Sequence, residues 1–424
     1  MTNSITFLDK FLEPKLEIDS FKSLIWTERY NTNGDFEIYI PIDGSRVSNS
    51  LLTIDSDGKN SWTNGYASIP ESKNLMFLEQ FRINNDKDSG EVLIVTGRSL
   101  ESILMRRIVW GLKVINGNLQ KGVQKLLTEN IIDPSDSDRR IPNFKFIMSD
   151  DPQITSLKLR AQYTGDNLYD VISGICKDNE LGFKIEVNDD NEFEFSLYKG
   201  TDRSYSQEAN AYVIFSKSSE NLLSSEYLES NAFTKNVALI GGEGEGKDRR
   251  YASVGSGSGL DRREIFTDAR DISSNYGDFV LLTSMPSDWS ENWTNYYINT
   301  GTQDNPEYEQ VPDPSAPTWV ENTYYEFDED AQMDDAEYNK LLRQRGQKDL
   351  DENKDIQAFN GEIDPFSLYI FGTDFFMGDI VEVEDEYGHH SRTRVSEIVR
   401  SIDGNGFSVY PTFSLLEEDA NVNY

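Results

Sequence analysis

Short runs in which apolar and polar residues strictly alternate constrain this chain more than any other feature of it. Phe183, Ile185 and Val187 alternate with polar neighbours, Asn188-Asp189-Asp190-Asn191 turns the chain, and Phe193, Phe195 and Leu197 resume the pattern. A period of two sends successive side chains to opposite faces of a pleated strand, so these residues predict a hairpin with one buried face. Residues 24–41 predict two more strands around Asn31-Thr32-Asn33-Gly34, because Phe36, Ile38 and Ile40 alternate with Glu37 and Tyr39 up to Pro41. Runs at 212–215 and 236–240 read as strands. Residues 363–413 read as successive short strands, with turns at Tyr387-Gly388 and Asp403-Gly404-Asn405-Gly406, able to close a small barrel or sandwich.

Helical spacing interrupts the strands at three places. The run at 92–95 passes into Leu100, Ile103, Leu104 and Ile108, with Ser99 placed to cap a helix. Leu119, Val123, Leu126 and Leu127 form a second face, and Leu168, Val171, Ile172, Ile175 and Cys176 form a third that ends near Gly182. Residues 101–200 therefore predict a compact α+β unit. The glycine-rich stretch 241–259 has no apolar periodicity and predicts loops.

Residues 285–330 differ in character, carrying Pro286, Pro306, Pro312, Pro314 and Pro317 with three of the six tryptophans. Trp289-Ser290-Glu291-Asn292 followed by Tyr296-Tyr297 is echoed by Trp319-Val320-Glu321-Asn322 followed by Tyr324-Tyr325. Trp289, Trp293, Tyr296, Tyr297, Trp319, Tyr324 and Tyr325 are the candidate contact residues of the chain, as a surface that stacks on sugar rings or docks a partner. The same residues could form the core of a small inserted module. A polar helix is expected from about residue 334 to 350.

Charge and chemistry narrow the function. Forty Lys and Arg against 75 Asp and Glu give a net charge of −35, a field that repels phosphate and lets DNA pass without tight binding. Cys176 is the single cysteine, so no disulfide framework exists, and its neighbours Ile172 and Ile175 predict a buried thiol. His389 and His390 are the only histidines; adjacent on a strand they face opposite ways, which makes a poor chelate and leaves no base for a Ser-His-Asp or Cys-His arrangement. Gly241–Lys247 matches the start of a phosphate-binding loop, but Asp248 stands where Ser or Thr should hold magnesium, and Glu243 and Glu245 would face the phosphates. Asp55-Ser56-Asp57-Gly58-Lys59-Asn60 and the trio Asp133, Asp136 and Asp138 lack the distal Glu of a calcium loop and read as turns.

No catalytic residue, cofactor or metal is therefore expected. A cell-wall hydrolase using two carboxylates stays an alternative for which no pair can be singled out among 75 acids. The first residues lack a basic region followed by an apolar core, and no stretch approaches the roughly 20 apolar residues that span a bilayer, so no membrane insertion is predicted and assembly in a reducing cytoplasm fits.

Several stretches, taken in order, resemble the siphophage tail-tip or baseplate hub family, which is similar in fold to the hub proteins of contractile phages such as Mu. They are Trp26-Thr27-Glu28-Arg29-Tyr30 with Gly34-Asp35-Phe36-Glu37-Ile38 and Pro41; Gly97-Arg98-Ser99-Leu100 with Arg106-Arg107-Ile108; and Tyr198-Lys199-Gly200-Thr201-Asp202-Arg203-Ser204. Phe215-Ser216, Asn221-Leu222, residues 236–244, Arg263-Glu264 and Gly378-Asp379-Ile380-Val381 continue the match.

The resemblance implies two small barrel-like hub domains; together with the α+β unit and the aromatic module read from the residues, the latter an insertion that departs from the family's core pattern, the expected fold is α+β and β-rich. The corresponding segments are 1–100 (first hub domain), 101–200 (α+β), 201–284 (strands returning to the hub, with the glycine-rich loop), 285–330 (aromatic module), 331–355 (polar helix) and 356–424 (second hub domain). It also implies a non-enzymatic homotrimer forming a pseudo-hexameric ring at the virion tail tip. Its partners would be the distal tail protein ring, the tape-measure protein and receptor-binding or fibre proteins, with DNA crossing the lumen.

Overall fold

The computed structural model describes residues 4–415 apart from 87–89, 271, 273, 275–277, 301–307, 312–317, 322, 329–333, 364–368, 385–389 and 405. The two strands expected around Gly34 form as Ser23–Arg29 and Asp35–Pro41, paired antiparallel with Trp26 opposite Phe36. They lie inside a ten-stranded sheet whose order runs Leu222–Ser230, Ile356–Ile363, Gly406–Leu415, His390–Asp403, Ser23–Arg29, Asp35–Pro41, Gly90–Arg98, Gln80–Asp86. Ile380–Glu384 also pairs with His390–Asp403 and carries Ile214–Ser216 on its other side. Strands expected in the first and in the last segment of the chain are thus hydrogen-bonded to one another.

The last segment is not a set of short strands: His390–Asp403 has 14 residues and Gly406–Leu415 has 10. Alternation persists across Thr393–Ile402 with no turn residue to end it, and the expected turn at Tyr387-Gly388 lies outside the described residues. A register shift between Val395 and Glu397 bends the long strand. Before the bend it pairs with Ile380–Glu384, and after it with Ser23–Arg29. Val395 and Ile398 enter a core with Phe215, Phe375, Val381, Val383 and Phe413. Ile402 enters another, with Phe7, Trp26, Phe36, Ile38, Met76 and Val95, covered by a four-stranded sheet that includes Ile5–Leu8 and Pro14–Ile18.

Between these cores the chain builds the α+β unit. The hairpin forms as Gly182–Val187 and Phe193–Tyr198 in the expected register, Ile185 opposite Phe195. Helices Leu119–Leu127 and Leu168–Asp178 start at Asn118 and Asn167, whose side chains accept the backbone N–H of Lys121 and Tyr169. The helix expected at Leu100 is instead a 3₁₀ segment, Leu100–Arg106. Ser99 makes no cap because its Oγ accepts from Gly34 N (2.8 Å), and Ile108, expected on the buried face, is exposed.

The stretch 241–259 is not loop throughout. Tyr251–Gly255 pairs antiparallel with Val237–Gly241, which pairs parallel with Glu264–Asp268. Only small Ala252 and Val254 face inward on that strand, too weak an alternation to read from sequence. Helix Asp335–Glu352 covers this three-stranded sheet through Tyr338, Leu342 and Leu350, so the expected polar helix has one apolar stripe. A Cβ at Gly346 would fall 2.4 Å from Ile240, which is why that crossing requires glycine. Residues 278–328 add a four-stranded sheet, ordered Asp278–Leu281, Tyr324–Asp328, Tyr297–Asn299, Tyr308–Gln310. Among the described residues no helix is long and apolar enough to cross a membrane.

Candidate functional site

Three places combine chemistry with position: the joint where the parts of the chain meet, the free edges of the large sheet, and the aromatic module. The joint centres on Tyr30. Its hydroxyl donates to the Glu180 carbonyl (2.9 Å), its ring meets Tyr198 edge-on at 5.3 Å, and the Arg394 guanidinium lies 5.3 Å from its centroid. Burial pushes the Tyr30 hydroxyl up to about 12, although the Arg394 charge acts the other way. Two glycines make room, since a Cβ at Gly378 would fall 2.2 Å and one at Gly182 2.5 Å from the Tyr30 ring. Gly378 also sits at φ +88°, a conformation glycine tolerates without strain.

Ion pairs fasten the same joint. Arg394 Nη2 donates to Glu180 (2.9 Å), and Arg203 Nε to Asp379 (2.7 Å), which also accepts from Thr201 N (2.7 Å) and Phe376 N (2.9 Å). Arg400 Nη1 donates to Glu28 (2.7 Å) with both side chains nearly buried, and Arg29 links Asp35 to Glu397. Nearby, Glu101 accepts from Ile185 N (2.8 Å), and burial pushes its carboxyl up despite that bond and one from Ser99. Trp26 to Tyr30, Tyr198 to Ser204 and Gly378 to Val381, three of the stretches that carry the family resemblance, converge here. Tyr30, Arg203, Asp379 and Thr201 make structural contacts there, while Lys199, Asp202 and Ile380 border a polar cleft beside the joint.

The sheet edges are the second feature. Among the described residues, Gln80–Asp86 pairs only with Gly90–Arg98, and Leu222–Ser230 only with Ile356–Ile363, so each strand has a side on which no described strand lies. Ile83 stands exposed on the first edge. Unpaired strand edges are templates for another chain unless a protein covers them.

The aromatic module splits its echo across its sheet. Alternation sends Tyr296 and Tyr324 to one face, where with Trp289 and Val311 they form a buried core, Trp289 lying 4.5 Å from Tyr324 and 5.2 Å from Trp319. Trp293 and Trp319 flank that core, half-buried. Tyr297 and Tyr325 point to the opposite face, where Tyr325 meets Tyr308 (4.9 Å), and Tyr308 stacks on Phe279 (4.1 Å). The Tyr296 hydroxyl donates to Asp288 (2.6 Å), and burial together with that carboxylate pushes it up to about 12. The seven candidate residues therefore do not form one surface. The second face uses Phe279, Tyr308 and Phe327, which the echo did not mark; strand alternation beside each Tyr-Tyr pair is the signal that could have found them.

The remaining motifs resolve as local structure. Gly242 N donates to the Arg250 carbonyl and Arg250 N to the Glu243 carbonyl, so part of the phosphate-loop-like stretch closes a hairpin, and the Glu243 carboxylate accepts from Ser274 N. Asp55 accepts from Asp57 N and Lys59 N, and Asp136 from Asp138 N, as turns. No group of potential metal ligands occurs among the described residues. Cys176 is fully buried and its thiol is pushed up by burial. His389 lies outside the described residues.

A polar cleft of about 540 Å³ lies beside the joint, with Asp151, Glu180, Asp202, Lys199 and Arg392 in its wall. Asp202 pairs with Arg392 (3.1 Å); burial opposes its charge, but bonds from Ser204 and Arg392 outweigh it and hold the carboxyl below its ordinary range.

A model of the Siphovirus ReqiPepy6 Gp37-like protein family matches residues 6–413. No curated protein matches the chain. Among solved structures it is similar to the 43 kDa tail protein of prophage MuSo2 from Shewanella oneidensis, at 9% identity and a TM-score of 0.52, covering 98% of this chain and 99% of that one. It is also similar to the tail protein from Neisseria meningitidis MC58, at 9% identity and a TM-score of 0.50, covering 97% and 96%. At such identity the likeness is one of fold, and it bears out the resemblance read from the motif stretches. Matched over nearly its whole length, the chain belongs to the Siphovirus ReqiPepy6 Gp37-like protein family.

Proposed function

We propose that this protein is a structural subunit of a phage tail tip, a baseplate hub protein that assembles as a homotrimer with two barrel-like hub domains per copy in a pseudo-hexameric ring. The observation that carries this reading is the open ten-stranded sheet whose two end strands, among the described residues, are paired on one side only, with a core on each half. Head-to-tail contacts between unlike edges close into rings, and they would cover backbone groups that a monomer leaves to water. The shared fold with phage tail proteins supports the same role.

Such a ring would stack under the distal tail protein, hold the tape-measure protein, carry receptor-binding or fibre proteins, and give DNA an acidic passage. The chain's charge of −35 suits a wall along which DNA moves without binding. Sedimentation of the full chain should show a trimer whose share rises with concentration. Immunogold labelling of phage particles should mark the tail tip; labelling on the capsid would end the reading.

A second reading, attachment to the host surface or to a carbohydrate through the aromatic module, draws on the ring face of Tyr297, Tyr308 and Tyr325. Replacing Tyr297 and Tyr325 together by Ser should leave particle assembly intact and lower adsorption. Unchanged adsorption would remove it.

A further inference from the structure

Residues 106–163 form a lobe of the α+β unit, in which Lys113–Asn118 pairs with Lys158–Tyr163 and helix Leu119–Leu127 packs on both strands. Ten Lys and Arg against six Asp and Glu give the lobe a net charge of +4, so the other 366 residues carry −39. Where the chain enters it, residues 107–110 lie against 165–168: Leu168 N donates to the Arg107 carbonyl (3.0 Å) and Val109 N to the Asp166 carbonyl (2.8 Å). Val109 is buried there, while Ile108, Trp110 and Leu112 are 45%, 59% and 43% exposed.

Arginines frame these side chains. The Arg139 guanidinium lies 4.7 Å from the Trp110 ring centroid, and its Nη2 donates to the Ile108 carbonyl (2.9 Å) and to Asn130 Oδ1 (3.1 Å). Fully buried Asn130 also accepts Trp110 N (2.9 Å), so one side chain seats both. Arg107 Nε donates to the Arg139 carbonyl and its Nη1 to the Arg106 carbonyl, each at 3.0 Å. Among the described residues Arg106, Arg107, Arg139 and Arg140 form no ion pair, whereas Arg29, Arg98, Arg203, Arg394 and Arg400 each hold a carboxylate. Burial and the charge of Arg139 push the Arg107 guanidinium below its ordinary value, as befits a cation facing a cation. Asp133, Asp136 and Asp138 are already counted in the lobe's charge, and Asp136 accepts from Asp138 N.

Arginines and an exposed tryptophan, seated before any contact is made, are the composition of an interface centre. Duplex DNA or an anionic membrane, as an extended polyanion, would meet the −39 of the remaining chain as well as the lobe. Single carboxylates on a protein feel only what lies within a Debye length, roughly 8 Å at physiological salt, and there the arginines dominate. A second copy supplies them, since its residues outside the lobe hold 69 Asp and Glu against 30 Lys and Arg. The patch cannot be its own partner, because that would set arginine on arginine. The contact is therefore head-to-tail, the kind that closes a ring of like copies.

We propose that the patch of Arg106, Arg107, Trp110 and Arg139 docks on an acidic surface of the next copy. The inference rests on the ring reading and adds to it a contact that no edge strand makes.

The test uses the full chain with Ser137→Cys. Ser137 is exposed two residues before Arg139, and Cys176 is buried, so a maleimide–diazirine reagent labels one position. Equal amounts of ¹⁴N and ¹⁵N protein, mixed dilute, concentrated and illuminated, should give heavy–light cross-links from residue 137 to peptides outside 106–163. In parallel, Arg106→Glu with Arg107→Glu should weaken trimer formation about tenfold in sedimentation without changing the circular dichroism spectrum. Lys59→Glu with Lys247→Glu makes the same change of net charge at exposed sites on other segments and should weaken it far less. A trimer that yields cross-links within one copy only, or an arginine variant that associates like the parent or like the lysine variant, overturns this inference and leaves the ring standing. So does binding of duplex DNA or phosphatidylglycerol vesicles by the parent and not by the arginine variant, which would assign the patch to phosphates. A chain that stays monomeric at every concentration overturns both.

Discussion

The α+β unit and the aromatic module are both small sheet-based units, yet they are held together in opposite ways. The first packs aliphatic side chains of two helices against a hairpin, and its core takes in Leu8, Tyr66 and Phe77 from the N-terminal strands. Tyr30 and Arg394 then fasten it to the large sheet. In the second, among the described residues, Trp289, Tyr296, Val311 and Tyr324 are the buried core, and their neighbours come from the module itself. A core shared across segments transmits damage to the whole molecule, whereas a self-contained one confines it.

Phe195→Ala should break the first unit most severely. Phe195 is fully buried against Phe183 (5.9 Å) and Phe146 (5.6 Å), so a loss of about 3–5 kcal/mol is expected in the main urea transition. Gly378→Ala should cost about 3 kcal/mol in the same transition, because it adds both a collision with Tyr30 and a positive φ. Preserved stability in that variant would show that the joint yields.

Tyr30→Phe should cost about 1 kcal/mol at neutral pH, the worth of one buried hydrogen bond. Its pH profile sharpens the comparison. The folded-state value of about 12 stands above the ordinary 10.0, so the stability tied to the neutral hydroxyl is complete below pH 10 and is lost as pH rises from there through 12. The Phe variant should lack that component of the alkaline loss. Smallest in the main transition is Trp289→Ala, which should leave it unmoved while limited proteolysis begins to cut within residues 278–328. A shift of the main transition would mean that the module is not autonomous.

Much of this was legible where one physical rule acted alone. The hairpin at Gly182–Tyr198 and the helices Leu119–Leu127 and Leu168–Asp178 follow from alternation and helical spacing. Legibility failed where a long-range partner overrode a local signal, as when Gly34 took the Ser99 hydroxyl and left Leu100–Arg106 in a 3₁₀ form. It failed again at Tyr251–Gly255, where the inward residues are small and the pairing strand supplies the order. The motif stretches pointed correctly to a family, but their convergence on Tyr30 is a property of three dimensions. The Trp and Tyr echo marked a module, and only strand alternation revealed that its two Tyr-Tyr pairs are divided between opposite faces.

Strand His390–Asp403 has a consequence for how the protein is made. Its bond partners in Ser23–Arg29 are separated from it by most of the chain, as between Arg29 and Glu397, 368 residues apart. On the ribosome, the earliest strands therefore emerge long before the partner that completes their sheet, and wait with an open side. Such distant pairing makes folding slow. The chain's net charge of −35 would keep such unfinished chains apart during synthesis.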